Sequence, residues 1–98
     1  MKTCTRIEIV IETPLVSTLT TILKQLGVPG YTLISDVRGF GDRGARRADD
    51  LSGESSNCFV LIACDDQATI EKILESVRPL LSRSGGICLV SDAQWLRH

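Results

Sequence analysis

Residues 39–57 read GFGDRGARRADDLSGESSN, and the fold turns on whether they can hold a helix. Ala45, Ala48 and Leu51 are their only aliphatic residues, too few to give a helix a buried face. The stretch therefore reads as a long loop joining two strands. Connections longer than about 12–15 residues without structure of their own are usually functional or disordered.

The segments on either side of the loop can be read from their periodicity. Arg6 to Glu12 alternates, with Ile7, Ile9 and Ile11 on one face, as in a half-buried strand. Thr13 offers an N-cap and Pro14 suits a first helical turn. Leu15, Leu19, Ile22, Leu23 and Leu26 then form one helical stripe that Gly27 closes. A second strand is expected from Tyr31 to Arg38, alternating throughout. Beyond the loop, the continuously apolar CFVLIAC (58–64) predicts a strand buried on both faces.

Asp65 or Asp66 can cap a second helix with its stripe at Ile70, Ile73, Leu74, Val77 and Leu81, which Pro79 is expected to bend or close. A turn through Gly85-Gly86 leads to a short strand, Ile87 to Val90, followed by a short turn that presents Trp95 to a neighbouring subunit or sheet edge. The order strand, helix, strand occurs twice. With no crossover helix in residues 39–57, the simplest solution is α+β: a ferredoxin-like βαββαβ domain spanning 1–98, with a four-stranded antiparallel sheet and both helices on one face.

Ninety-eight residues suffice for a single domain and no more. Eleven basic and 12 acidic side chains give a net charge of −1, so no global field draws in nucleic acid or anionic lipid. The four aromatics are Tyr31, Phe40, Phe59 and Trp95, and a small aliphatic domain of this kind often gains burial by oligomerising. No signal-peptide core and no run of about 18 apolar residues occurs, so a cytoplasmic protein without membrane insertion is expected. Cys4, Cys58, Cys64 and Cys88 lack C-x-x-C spacing and read as buried thiols rather than metal ligands.

Four of the eight arginines and three of the eight glycines fall within residues 38–47. Gly39, Gly41 and Gly44 spell G-x-G-x-x-G, but a dinucleotide turn needs a helix directly after it, which this stretch lacks. Two readings stay open: an anion site, in which glycine N–H groups and the forks of Arg43 and Arg46 hold phosphate, or a solvated loop balanced by nearby acids.

The segment GYTLISDVRGFGDRG (30–44) resembles the second strand and T-loop base of the PII signal-transduction proteins, and SGGICLVSDA (84–93) resembles their last strand. Gly39, Gly41, Arg43 and Arg46 match the G-x-G-x-R-x-x-R form of PII-like proteins associated with bicarbonate transporters and carboxysomes. The resemblance implies a homotrimeric, non-enzymatic regulator with a T-loop at about 39–57, binding adenine nucleotides in clefts between subunits. It places Gly39, Gly41, Arg43 and Arg46 at the phosphates, Gly85, Gly86 and Ile87 on the opposing wall, and Thr32 near the adenine.

The T-loop contains no Tyr, the residue that classical PII proteins carry for uridylylation, and Asp42-Arg43 stands where they have Gln. The basic residues that grip a triphosphate in those proteins have no counterpart after this loop, so ADP or AMP is expected over ATP. The resemblance also implies bicarbonate beside Arg43 or Arg46, and a bicarbonate transporter or carboxysome-related protein as target. The alternative is a CutA-like metal-binding or structural trimer.

Overall fold

A computed structural model describes residues 1–39 and 56–96. Four strands, β1 (Lys2–Glu12), β2 (Thr32–Val37), β3 (Asn57–Cys64) and β4 (Ile87–Trp95), form one antiparallel sheet in the order β2-β3-β1-β4. Helices α1 (Val16–Gln25) and α2 (Gln67–Ser84) follow β1 and β3. This is the expected βαββαβ arrangement.

The core is the aliphatic layer predicted from periodicity, except that Leu80 is buried in α2 while Leu74 and Leu81 of the expected stripe, like Leu15, Ile22 and Leu26 of the first, are only partly buried against it. Ile7, Ile9 and Ile11 of β1 and Val60 and Ile62 of β3 pack with Leu19 and Leu23 of α1 and with Ile70, Ile73, Val77 and Leu80 of α2. Both helices thus cover one face of the sheet, and β3 is not buried on both faces as its composition suggested. Cys58, Val60, Ile62 and Cys64 are buried, whereas Phe59, Leu61 and Ala63 remain partly exposed on the open face. Directly paired residues of an antiparallel ladder share a face. The open face therefore also carries Arg6, Glu8 and Val10 of β1, Ile34 of β2, and Ile87, Leu89, Ser91, Ala93 and Trp95 of β4.

Several boundaries differ from the sequence-based expectation, each for a local reason. Thr13 does not cap α1: its hydroxyl donates to the Ser56 carbonyl at 2.9 Å, and a 3-10 turn, Thr13–Leu15, with Pro14 in it, starts the helical stretch. Leu26 ends α1 with a Schellman pattern, Gly27 (φ 75°) donating to Lys24 and Val28 to Leu23, both at 3.1 Å. In β2 the alternation breaks at a bulge between Ile34 and Val37, where Asp36 takes a left-handed φ of 59°.

Pro79 neither closes nor interrupts α2, which continues to Ser84. Asp66 is its cap, accepting from the Thr69 N–H at 2.9 Å and from the Thr69 hydroxyl at 2.6 Å. The side-chain hydrogen bond from Thr69, then the backbone one, hold its carboxyl below the ordinary value. The last strand does not stop at Val90. It pairs with β1 as far as Trp95, because Ser91 stands on the open face and Asp92, on the other face, is exposed at the sheet's edge, so neither polar side chain is buried.

Candidate functional site

One end of the sheet gathers both loops that the sequence marks. There β1 ends, β2 leaves and β3 returns, with Glu12 and Val37 both paired to Asn57. The returning chain is clasped to the β1 end: the Thr13 N–H donates to the Ser56 carbonyl at 3.0 Å, and the two hydroxyls lie 2.8 Å apart. Gly39 is exposed just beyond β2. Gly41, Arg43 and Arg46 lie outside the described residues.

The turn into β4 sits at the same end, since Ile87 pairs with Val10. Gly85 ends α2 with a left-handed φ of 77° and donates to the Leu81 carbonyl at 2.8 Å, a conformation that favours glycine. Gly86 presses on β1 so closely that an added Cβ would fall inside 3.0 Å of the Val10 carbonyl oxygen. Ile87 is 49% exposed on the open face. These residues flank β4 while Gly39 flanks β2, and the two edges are three strand spacings apart, about 14 Å.

Thr32 stands at the start of β2, level through Leu61 with Glu8 and Leu89. Gly39 lies seven positions further along largely extended chain, roughly 20 Å away. Thr32 lines a cavity of about 750 Å³, with Tyr31 beside it, Leu61 and Ala63 beneath, and Asp65 and Trp95 completing the wall. Asp65 is fixed by an ion pair of 2.9 Å to Lys2, which itself pairs with Trp95 in the β1–β4 ladder. On the open face beside this cavity, Arg6 pairs with Ala63 and Ser91 and donates through Nε to the Ser91 hydroxyl at 3.2 Å.

Among the described residues, the expected site residues thus fall into three groups in one chain: Thr32 at the start of β2, Gly39 beyond its end, and the Gly85–Ile87 turn on the opposite edge of the sheet. Periodicity could not have identified the cavity or its Trp95 wall, because the strand carrying Trp95 was expected to end five residues earlier, at Val90. Its sequence signal was only that Tyr31 and Trp95 are two of four aromatics. Cys4, Cys58 and Cys64 are buried as expected, and burial raises the thiol pKa of the partly exposed Cys88. Among the described residues, no group of three His, Cys, Asp or Glu side chains is placed to hold a metal, and no helix is long and apolar enough to cross a membrane.

Comparison with known proteins agrees with this architecture. CPII from Thiomonas intermedia K12, a nitrogen regulatory PII-like protein solved bound to ADP, AMP and bicarbonate, superposes with a TM-score of 0.79 at 23% identity, over 98% of this chain and 96% of that one. A PII-like signaling protein from Thermus thermophilus gives 0.71 at 26% identity, over 94% and 88%. The GlnK–ATP complex of B. subtilis gives 0.68 at 19% identity, over 95% and 84%. No functionally curated protein matches the chain. A family model described as nitrogen regulatory protein P-II matches residues 4–98. On the strength of that match from Cys4 to His98, the chain belongs to the nitrogen regulatory protein P-II family.

Proposed function

We propose that the protein is a cytoplasmic, non-enzymatic sensor that binds ADP or AMP in clefts between the subunits of a homotrimer. One observation carries this reading: in one chain Thr32 and its cavity stand roughly 20 Å along β2 from Gly39 and three strand spacings, about 14 Å, across the sheet from the strand that carries the Gly85–Ile87 turn. These three groups lie apart on opposite edges of one chain's sheet, but a nucleotide can bridge the cavity of one copy and the glycine loops of the next. The open face supports association, since Ile34, Ile87 and Leu89 are 50%, 49% and 57% exposed, and a monomer rarely leaves such an apolar surface uncovered.

In this arrangement Gly39, Gly41, Arg43 and Arg46 hold phosphate from one side and Gly85, Gly86 and Ile87 from the other, while Thr32 meets the adenine. Bicarbonate sits beside Arg43 or Arg46, where forked donors suit a small planar anion. That CPII binds ADP, AMP and bicarbonate on the same fold supports the ligand set. Ligand-dependent ordering of the T-loop then changes which partner can dock, linking the protein to inorganic-carbon metabolism through a bicarbonate transporter or carboxysome-related target.

The test is calorimetric titration with AMP, ADP, ATP and cyclic AMP, with and without bicarbonate, alongside sedimentation to count subunits. Binding of ADP or AMP by a trimer, weakened roughly tenfold or more in Arg43→Ala or Arg46→Ala, is the expected result. Full-affinity binding by a monomer would overturn the inter-subunit site. No binding of any nucleotide would remove the sensor.

A further inference from the structure

We infer that Trp95 is the plate on which the nucleobase stacks, which makes the cavity selective for purine over pyrimidine nucleotides. The inference rests on the nucleotide-binding reading above and specifies how its base is recognised. Two of the chain's four aromatic residues, Tyr31 and Trp95, line this one cavity. Tyr31 stands beside Thr32 at the entry to β2, and Trp95 comes from the end of β4. Between them the floor is Leu61 and Ala63, which present no hydrogen-bonding side chain to compete for a base.

Trp95 is well placed to act as a fixed surface rather than a mobile one. Its backbone closes a nine-residue ladder with β1, opposite Lys2, and the Lys2 amine is held by Asp65 at 2.9 Å. The indole nitrogen is buried although the residue as a whole is only half-buried, so part of the ring's surface stays open. An indole and a phenol ring lining one cavity with Leu61 and Ala63 offer a base dispersion and π-stacking. A bicyclic purine covers more of an indole than a pyrimidine does. Thr32 and the Asp65 carboxylate supply polar groups at the cavity rim.

Trp95 is the only tryptophan, so its emission reports on this cavity alone. ADP, GDP, CDP and UDP would be titrated into the wild type and into Trp95→Phe and Trp95→Ala, followed by calorimetry and, in the wild type, by fluorescence. The expected result is saturable quenching by ADP at the calorimetric affinity, with purine diphosphates bound more tightly than pyrimidine ones. Trp95→Ala should lose roughly 5- to 100-fold in ADP affinity and most of the purine preference, and Trp95→Phe should recover part of both.

If the wild type binds ADP with no change in emission, or Trp95→Ala binds it undiminished, the plate is wrong while the sensor stands. If the wild type binds no nucleotide, the sensor itself fails. Should Trp95→Ala not fold, wild-type emission and the Trp95→Phe affinities still decide the matter.

Discussion

Replacing Gly86 by alanine tests the register that brings the last strand to the loop end of the sheet. The added methyl carbon would fall inside 3.0 Å of the Val10 carbonyl oxygen, 3.2 Å from the Val10 carbonyl carbon and 3.3 Å from the Ile11 Cα. All three are backbone atoms of the central strand β1, whose neighbours on both sides lock it in place. A flexible side chain could swing away, but here β1 and β4 must separate where Val10 meets Ile87. Overpacking of this kind costs about 1–3 kcal/mol, and backbone on every side argues for the upper part of that range. At about 4–8 °C per kcal/mol for a domain of this size, the melting midpoint should fall on the order of 10–20 °C. Gly30→Ala is the control, because no heavy atom lies within 4 Å of its Cβ position and its φ is not left-handed. The assay is thermal unfolding of the ligand-free proteins by circular dichroism at matched concentration, since assembly adds mass action. A Gly86→Ala midpoint no lower than that of Gly30→Ala would refute the close approach of the turn to β1.

Two further outcomes concern α2. Asp66→Ala should lower the melting midpoint by removing the helix cap. Because the folded pKa lies below the ordinary value of 3.8, the charged cap's contribution is complete above that pH and is lost as acid takes it through the lowered value. The gap between wild type and Asp66→Ala should therefore stay constant from neutrality to about pH 4 and narrow below it; a gap unchanged in stronger acid would rule out the charge. Ile73→Ala, at a fully buried position between α2 and the sheet, should cost about 2–5 kcal/mol in urea unfolding, and a loss within about 0.5 kcal/mol, the scale of a surface change, would mean that α2 does not pack there.

What the sequence revealed and what it hid divide along physical lines. The stripes at Leu19 and Leu23 and at Ile70, Ile73 and Val77, and the alternation of Ile7, Ile9 and Ile11, were legible because each repeats with the period of its own element. The nature of β3 was not, because a continuous apolar run reads the same whether the second face meets helices or lies open. Phe59 and Leu61 are apolar on a face that this chain alone does not cover. The same hydrophobic signal thus served two surfaces, the intramolecular core and the open face, and periodicity cannot separate them.

Site residues posed a different difficulty. Glycines and arginines in residues 38–47 and the Gly85-Gly86 pair stand out in composition, because a turn or an anion needs particular residue types in a local run. The cavity beside Thr32 has no such run. Thr32, Ala63 and Trp95 come from three strands and line one cavity only because residue 32 pairs with Leu61 and β4 follows β1 as far as Lys2. The polar Ser91-Asp92 pair looked like the end of a strand, and that misreading hid the one extension that carries Trp95 to the wall. An edge strand is judged by its pairing partner and not by its own hydrophobicity. The alternation from Ile87 through Ala93 to Trp95 becomes meaningful only once β1 is known to continue alongside it to Lys2.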